Sequence, residues 1–205
     1  LNFKEKGGAW AFVINDAKNY AFNEEQSIDS SLSVSFVSLI EKGSNWQKTI
    51  EIKSSMQVTI SDTALFSNGF HYICGNFKGD LLINDQAYFS EGGYDYFILK
   101  LSEEGDIIDF RSFGGGNDEL AKSVDIWNNQ LLIGGDFSLS TKFGDRSYQA
   151  KDVSDSFLLS IDCDDFNSME WAKTFEEDGN QFFSSLSISE EGYIFTCSTS
   201  LNNPD

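Results

Sequence analysis

The sequence predicts an all-β fold built from β-propeller blades, and three observations support this prediction. Similar segments recur at a period of about sixty residues, which indicates a repeat architecture. Each period contains four short runs rich in Val, Ile, Phe and Tyr, bounded by Gly, Asn, Asp and Ser, as strands are. The 205 residues include a single Pro, 17 Gly and 19 Phe, which suits a regular β protein. Four antiparallel strands per unit are typical of a propeller blade.

The repeat is clearest around three phenylalanines. Phe36, Phe97 and Phe157 lie in similar segments and are 61 and 60 positions apart. Further alignments at nearly the same spacing are Phe22, Ile83 and Phe143; Ile50, Phe113 and Phe175; and Ile73, Ile133 and Phe195. Trp46 and Trp171 lie about two periods apart. Because these alignments share one period, we predict units at 1–53, 54–116 and 117–178, and a partial unit at 179–205.

The predicted strands follow one another in the same order within each unit. The first unit opens with a second strand at 9–14, then a third at 33–40 and a fourth within 46–50. The next two units contain predicted strands at 56–60, 70–76, 94–101 and 107–113, and at 120–126, 130–136, 154–161 and 169–175. A final second strand is predicted at 193–200. The first two strands of a unit are joined by Ser67-Asn68-Gly69 or Asn128-Asn129, which tolerate the positive φ of a tight hairpin.

The third strand of the second unit is apolar on both faces. Phe97, Leu99 and Leu101 share one face, while Tyr96 and Ile98 share the other. Such strands are covered on both sides, as blades are by neighbouring blades. A β-sandwich and a β-solenoid are the competing folds, but sandwiches lack an internal repeat and solenoid coils have shorter periods. Propellers close with about four to eight blades. We therefore expect these units to belong to a longer propeller, or to close with another copy.

Several runs resemble the SBBP repeat, a bacterial propeller repeat. They are Gly92-Gly93-Tyr94-Asp95-x-Phe97-x-x-Lys100, Phe113-Gly114-Gly115-x-x-Asp118, Trp171-Ala172-Lys173-Thr174-Phe175, Gly75-Asn76-Phe77 with Gly79, and Gly135-Asp136-Phe137-Ser138. The resemblance covers units two and three. Unit one is similar only at Trp46-Gln47-Lys48-Thr49-Ile50, which matches the Trp-x-Lys-Thr pattern of the fourth strand. It implies an all-β, secreted or surface-exposed repeat domain within a longer bacterial protein. It implies no common catalytic activity.

Composition limits the classes of partner. The chain has 33 acidic and 14 basic residues, a formal net charge of −19. Such a surface repels nucleic-acid phosphates and anionic lipid headgroups, which argues against both as partners. No apolar run is long enough to span a membrane as a helix. The charge serves solubility in one interpretation, and binds divalent cations or a basic partner in another.

Residues suited to catalysis are few. The only His, His71, alternates with Phe70 and Tyr72 on a predicted strand, and no motif places a nucleophile beside it. The run at 114–116 is glycine-rich but precedes acidic residues, so we interpret it as a turn between blades. Cys74, Cys163 and Cys197 are too scattered for a disulfide framework or zinc site. We predict that Cys74 and Cys197 are buried strand residues and that the chain is not an enzyme.

An acidic loop is the main candidate cation site, and Glu176-Glu177-Asp178-Gly179-Asn180 is a comparable acidic turn. Asp162, Asp164, Asp165 and Asn167 place oxygen atoms at alternating positions, as a calcium loop does. The loop lacks the Gly and distal Glu of an EF-hand, and its residues are also good turn formers. The corresponding turns in the other units do not keep this spacing. A solvated turn is therefore the favoured interpretation, and no cofactor is predicted beyond this weak calcium candidate.

Tryptophan supplies the remaining clue. Trp46 and Trp171 could stack on sugar rings, but their repeat spacing favours packing between blades. We predict a non-enzymatic interaction module of a secreted or cell-surface bacterial repeat protein, which binds a protein partner through propeller loops. The alternative is a carbohydrate-binding propeller domain attached to a secreted hydrolase.

Overall fold

The computed structural model describes residues 3–6, 9–14, 32–41, 47–66, 69–83 and 86–201. These residues form β-strands and no helix, so no helix here is long and apolar enough to cross a membrane. The strands are β1 (Phe3–Lys6), β2 (Ala9–Ile14), β3 (Ser33–Glu41), β4 (Gln47–Ser54), β5 (Gln57–Leu65), β6 (His71–Lys78), β7 (Asp80–Ile83), β8 (Gln86–Phe89), β9 (Asp95–Leu101), β10 (Ile107–Phe113), β11 (Glu119–Trp127), β12 (Gln130–Phe143), β13 (Arg146–Asp162), β14 (Met169–Phe175), β15 (Asn180–Ile188) and β16 (Ile194–Leu201).

The strands pair antiparallel in sheets that follow the chain. Sheet one has the order β1-β2-β3-β4-β7-β8, and sheet two has the order β5-β6-β9-β10. Sheet three is β11-β12-β13-β14, and sheet four is the pair β15-β16. Apart from the β7–β8 hairpin, each sheet is a meander of sequence neighbours, as the all-β prediction required.

Local turn chemistry explains the hairpins that begin each meander. Asn128 and Asn129 have φ values of 46° and 65°, as a two-residue hairpin turn requires. Gly69, which ends the corresponding turn in sheet two, has a φ of 90°. Asn and Gly adopt this left-handed region at little cost, so the sequence selects tight turns at both sites.

One hairpin contradicts the expectation of uniform four-stranded units. Residues of β7 and β8, which lie within the predicted unit 54–116, join sheet one instead of sheet two. Leu81 and Leu82 pair with Ser54 and Lys53 of β4, which gives sheet one six strands. This pairing joins segments distant in sequence, and no local pattern announces it. In unit three, the corresponding residues extend β12 and β13 beyond the predicted strands 130–136 and 154–161.

The sheets lie face to face, with a hydrophobic core between each consecutive pair. Within the described residues, one core joins sheets one and two, a second joins sheets two and three, and a smaller one joins sheets three and four. Strand β9 shows how a middle sheet serves two cores. Phe97 and Leu99 enter the core shared with sheet one, whereas Tyr96 and Ile98 enter the core shared with sheet three. All of β9 is buried, which explains its apolar character on both faces.

A close packing contact recurs between the second and third strands. Phe97 lies opposite Gly75 on β6, and Phe157 lies opposite Gly135 on β12. A Cβ added at Gly75 would come within 2.5 Å of the Phe97 ring, and one at Gly135 within 2.7 Å of the Phe157 ring. Each glycine therefore provides the space in which the aromatic ring packs.

A first hydrogen-bonded link joins each third strand to the first strand of the next sheet. Its members are Ser33 with Val58, Tyr94 with Glu119, and Ser154 with Gln181. The Val58 N–H donates to the Ser33 hydroxyl, and the Glu119 N–H donates to the Tyr94 carbonyl. The Ser154 hydroxyl donates to the Gln181 carbonyl. The same pair of positions is thus hydrogen-bonded at three sheet boundaries, although the groups that form the bond differ.

At two boundaries, a second link joins the second strand of one sheet to the first strand of the following sheet. The Asn76 amide donates to the Ala121 carbonyl at 2.9 Å, and the Ala121 N–H donates to Asn76 Oδ1 at 2.8 Å. One period later, the Phe183 N–H donates to the Asp136 carboxylate. The first strands of sheets two, three and four also share a register shift, at Ile60/Asp62, Ala121/Ser123 and Phe183/Ser185. Successive sheets therefore use the same docking geometry.

Candidate functional site

The hairpins between second and third strands form the most distinctive surface feature. Ile83 and Phe143 are the last residues before the two hairpin turns, where they pair with Gln86 and Arg146. Both side chains are buried, Ile83 in the core of sheets one and two and Phe143 in the core of sheets two and three. The β7–β8 hairpin thus contributes to the core between sheets one and two, and the β12–β13 hairpin to the core between sheets two and three.

The two hairpins differ in how they meet the preceding sheet. The β7–β8 hairpin hydrogen-bonds to β4, whereas no backbone pairing joins the β12–β13 hairpin to β10 within the described residues. A cavity of about 370 Å³ lies there instead, between Phe113 of β10 and Phe143 of the hairpin. We call it the β10 cleft. Its volume falls within the range of small-ligand pockets.

The walls of the β10 cleft are aromatic and acidic. Phe89, Tyr96 and Phe166 line it together with the carboxylates Glu91 and Asp95, while Lys142 adds one positive charge. Asp95 is only 3% exposed, and its carboxylate accepts the Glu91 N–H at 3.2 and 3.3 Å. Burial raises the pKa of Asp95 to about 6. The cleft therefore offers apolar surface beside the Asp95 carboxyl group, whose pKa is raised by burial.

A second buried carboxylate lies behind Asp95. Glu119 is 0% exposed, and its Oε2 accepts the Gly115 N–H at 2.9 Å, while Oε1 has no hydrogen-bond partner. Burial raises the pKa of Glu119 to about 7, and the charge of Asp95 contributes to the rise. In the next unit, Gln181 takes the equivalent position, and its amide donates to the Gly179 carbonyl at 3.0 Å. Glu119 thus carries a carboxyl group where the repeat also accepts an amide.

A groove of about 520 Å³ runs along the other side of the same hairpin turn. Trp171 and Tyr148 line it with Arg146, Asp145 and Glu170. Trp171 is 37% exposed, so it is not the buried packing residue between blades that its repeat spacing predicted. It lies on β14, the outer strand of sheet three, which pairs within the described part of the chain with β13 alone. We call this feature the Trp171 groove.

The predicted calcium loop contacts the ammonium group of Lys100. Lys100 Nζ donates to the Cys163 carbonyl at 2.9 Å and to Asp164 Oδ1 at 3.1 Å. The Lys100 and Asn129 hydrogen bonds lower the pKa of Asp164. Asp162 Oδ1 instead accepts the N–H groups of residues 164 and 165, and Asp165 Oδ1 accepts those of Asn167. One oxygen each of Asp162 and Asp165 is therefore bonded to backbone N–H groups of the turn, and Asp164 Oδ1 is bonded to Lys100.

The environment of Lys100 supports this positive charge. Its Nζ lies 4.4 Å from the Phe70 ring centroid and 5.6 Å from that of Tyr72, close enough for cation–π attraction. The Tyr72 hydroxyl donates to the same Cys163 carbonyl at 3.1 Å. Among the described residues, no three His, Cys, Asp or Glu side chains are grouped as metal ligands. Sequence reasoning missed Lys100, although a lone Lys within the otherwise apolar run at 96–101 was a usable signal.

The aligned phenylalanines lie at comparable places in the sheets. Phe36, Phe97 and Phe157 are buried on the third strands β3, β9 and β13. Phe97 and Phe157 face the preceding sheet, and Phe36 lies on the face of β3 opposite to Val37, which packs against sheet two. Phe22 and Trp46 lie outside the described residues.

The fourth-strand alignment needs a two-residue adjustment in unit one. Phe113 lies opposite Tyr96 and Phe175 opposite Ser156, each one residue before the aligned third-strand phenylalanine. In sheet one, the residue opposite the position before Phe36 is Ile52, which pairs with Ser35. The aligned residue Ile50 pairs with Val37 instead. Ile50 is buried, and Phe113 and Phe175 are half-buried against the next core.

The remaining candidates occupy structural places. His71 is buried on β6, its Nδ1 has no hydrogen-bond partner, and burial lowers its pKa. Cys74 and Cys163 are buried, but Cys197 is exposed, contrary to the prediction. Cys197 occupies the same register position as Cys74, and within the described residues no further sheet covers it.

Comparison with known proteins does not assign the chain to a family. No protein-family model matches the chain, and no curated protein sequence matches it. The resemblance to the SBBP repeat therefore stays a prediction.

Proposed function

We propose that the chain is a non-enzymatic interaction module, built from propeller blades, of a secreted or cell-surface bacterial repeat protein. The observation that carries this proposal is the docking geometry that recurs between successive sheets. Third-strand and second-strand links, a shared register shift and one core per boundary all repeat at about sixty residues. A stack that repeats one rotation between neighbours is how propellers and solenoids build a rigid scaffold for binding loops.

The site that best fits partner binding lies around the turn between β12 and β13. The β10 cleft and the Trp171 groove flank this turn and share Phe143, Gly144, Asn167 and Met169. Asp145, Arg146 and Glu170 present exposed charged side chains beside Trp171. Aromatic anchors ringed by charged groups are typical of protein-binding surfaces. The proposed partner is therefore a protein that contacts this turn.

The test is chemical cross-linking of the intact chain on bacterial surface extracts, followed by identification of the captured protein and measurement of its affinity. Replacing Asp145, Arg146 and Glu170 together by Ala should weaken purified partner binding at least tenfold. The matched control replaces Glu103, Glu104 and Asp106, exposed residues in the turn between β9 and β10, and should bind normally. The proposed site would be wrong if both variants kept normal affinity for the partner. It would also be wrong if both variants lost affinity to the same extent.

A carbohydrate is the second candidate ligand, and the exposed Trp171 is the observation that favours it. An indole beside Arg146, Asp145 and Glu170 combines an apolar platform with hydrogen-bonding groups suited to sugar hydroxyls. In that case glycan-array binding is lost in Trp171→Ala but kept in Tyr193→Ala, which removes an exposed aromatic elsewhere. An array without signal for the wild-type chain would exclude this candidate.

A further inference from the structure

The β10 cleft lies where the preceding sheet boundary has a continuous strand ladder. At that boundary, Val34 of β3 pairs with Lys53 of β4, and Lys53 pairs with Leu82 of the β7–β8 hairpin. One period later, the corresponding positions all line the cleft: Asp95, Gly114 and Lys142. The walls come entirely from the continuously described stretch 86–201, so the cleft is an internal feature of the fold. Charged side chains thus replace the apolar Val34 and Leu82 at the boundary that stays open.

Asp95 is a buried carboxylate in the wall of the cleft, and it has unused hydrogen-bonding capacity. It is 3% exposed, and among the described residues its two oxygens share a single donor, the Glu91 N–H. A carboxylate can accept about four hydrogen bonds. Gly114 leaves room for this carboxylate, because a Cβ there would lie 2.1 Å from Asp95 Cγ. A buried carboxylate without a cation beside it is costly, so a charged donor in the cleft would stabilise it.

The charges around the cleft favour a cation as its ligand. Glu91 adds a second, exposed carboxylate to the wall, and the buried Glu119 behind Asp95 has one oxygen without a hydrogen-bond partner. The basic side chain in the wall is that of Lys142, which is exposed. No ion pair joins Lys142 to Asp95 or Glu91 within the described part of the chain. Acidic groups therefore outnumber basic ones here, and the complement of such a site is positively charged.

The walls favour an organic cation over a metal ion. Tyr96 and Phe113 stack with their ring centroids 5.1 Å apart, and Phe89, Phe143 and Phe166 complete the aromatic lining. Aromatic rings attract organic cations and pack against apolar groups, whereas a hard metal ion needs several oxygen ligands. Among the described residues, no three His, Cys, Asp or Glu side chains are grouped so that they could hold a metal. The ligand that fits therefore carries a positive charge on an apolar body.

We propose that the β10 cleft binds a small organic amine, whose ammonium group donates hydrogen bonds to Asp95 and whose apolar body packs against the aromatic walls. The cavity volume of about 370 Å³ accommodates such a molecule. The proposal goes beyond the function proposed above, because it assigns a small-molecule ligand and not a protein partner. Asp145, Arg146 and Glu170, whose replacement tests the protein partner, do not line the cleft.

The test is calorimetric titration of the full chain with phenethylammonium, which has an ammonium group on an aromatic body, and with phenylethanol, its uncharged analogue. The titration is made at about pH 8, where Asp95 is ionised because its pKa is about 6. Phenethylammonium should bind at least tenfold more tightly than phenylethanol, since only the amine forms a charge-assisted hydrogen bond. Asp95→Asn should remove this preference, because the amide keeps an acceptor for the Glu91 N–H but carries no charge.

Asp155→Asn is the matched control and should bind phenethylammonium like the wild type. Asp155 lies two residues before Phe157, as Asp95 lies two residues before Phe97. It is also buried, and its carboxylate accepts the N–H of the residue four positions earlier, Lys151, at 2.9 Å. It does not line the cleft. The two variants therefore remove the same group from equivalent positions, of which one faces the ligand.

Three results would overturn the inference. They are no binding of phenethylammonium to the wild type, equal affinity of the wild type for both compounds, and equal affinity of the Asp95→Asn and Asp155→Asn variants for phenethylammonium. Circular dichroism checks that both variants are folded. The comparison of the two compounds uses the wild type alone, so it decides the question even if Asp95→Asn does not fold. The variant that replaces Asp145, Arg146 and Glu170 should still bind phenethylammonium, which distinguishes failure of the cleft from failure of the proposed partner site.

Discussion

At the scale of single residues, the recurrent Gly–Phe pair is the most demanding packing feature. The rings of Phe97 and Phe157 occupy space that a side chain on Gly75 or Gly135 would need. Both rings are fully buried in cores shared with the preceding sheet. Protein interiors are close-packed, so a cavity in place of either ring is only partly filled by relaxation.

Phe97→Ala and Phe157→Ala should each lower the free energy of unfolding by about 3–5 kcal/mol, the typical cost of removing a buried aromatic ring. Urea denaturation followed by circular dichroism measures the change. Phe89→Ala is the matched control, because Phe89 is an exposed phenylalanine on β8, and it should change stability by less than about 0.5 kcal/mol. Variants of Phe97 and Phe157 that unfold like the wild type would show that the repeat alignment is wrong.

Glu119 is a buried carboxyl group on β11, at the boundary between sheets two and three. Its folded-state pKa of about 7 lies well above the ordinary carboxyl value, since it is buried. Between about pH 4.5 and about pH 7, Glu119 therefore keeps its proton in the folded chain but has lost it in the unfolded chain. The contribution of Glu119 to stability must fall as pH rises from about 4.5 to about 7, and its penalty is complete above that range.

Glu119→Gln should therefore stabilise the chain by roughly 1–3 kcal/mol near pH 8, because the wild-type chain must hold this buried carboxyl ionised at that pH. The difference from wild type should shrink towards about pH 4.5, where the wild-type carboxyl is already protonated. Gln181 shows that the repeat accommodates an amide at this position. Denaturation at several pH values measures the effect, and Glu170→Gln, an exposed carboxylate, controls for the loss of charge. A constant difference at every pH would contradict the prediction.

At the scale of elements, side-chain to backbone hydrogen bonds fix how one sheet lies on the next. Asn76 accepts from the Ala121 N–H and donates to the Ala121 carbonyl, and its amide also donates to the Ser61 hydroxyl at 2.9 Å. The Asn76 side chain thus satisfies both backbone groups of a residue at a register shift. Asp136 takes the same role towards Phe183, and burial raises the pKa of Asp136 to about 6.

Asn76→Ala should destabilise the chain by about 2–3 kcal/mol, because it leaves the Ala121 N–H and carbonyl buried without partners. Thermal and urea unfolding measure the loss. Asn117→Ala serves as the control, since Asn117 also bonds a backbone carbonyl, that of Ser140, but at an exposed position. A loss no larger than that of Asn117→Ala would mean that water replaces the link between the sheets.

At the scale of the whole molecule, the cores are separate and connect only consecutive sheets. Sheet four depends on the smallest of the three cores that join consecutive sheets, in which Phe183 packs over Gly134 of sheet three. In stacked repeats of this kind, stability is a sum of local units and the interfaces between neighbours. The molecule should therefore open from the sheet four end before its middle sheets open.

Phe183→Ala should increase amide exchange in β15 and β16 while β6 and β9 remain protected, because their cores do not contain Phe183. Hydrogen–deuterium exchange with mass spectrometry resolves these segments. Phe97→Ala, in contrast, should increase exchange in sheets one and two. Equal loss of protection in all sheets after Phe183→Ala would show that the chain unfolds as one cooperative unit.

The repeat, the all-β class and most strands followed from sequence because they depend on local patterns. Alternating apolar residues, tight-turn Asn and Gly, and the period of about sixty residues are readable without coordinates. The missed features depend on contacts between distant segments. The β7–β8 hairpin joins β4, Lys100 reaches Asp164, and Trp171 is exposed on an outer strand. No local pattern encodes which partner such a residue meets.

The sequence alone thus determined the strands and their recurrence, because side-chain alternation and turn conformation are set by immediate neighbours. Only the tertiary structure decided that Lys100 reaches Asp164 of the acidic loop, and that within the described residues a cleft replaces strand pairing beside β10. Each of these depends on how one sheet packs against the next. That packing is a balance of burial and hydrogen bonding among residues that lie far apart in the sequence.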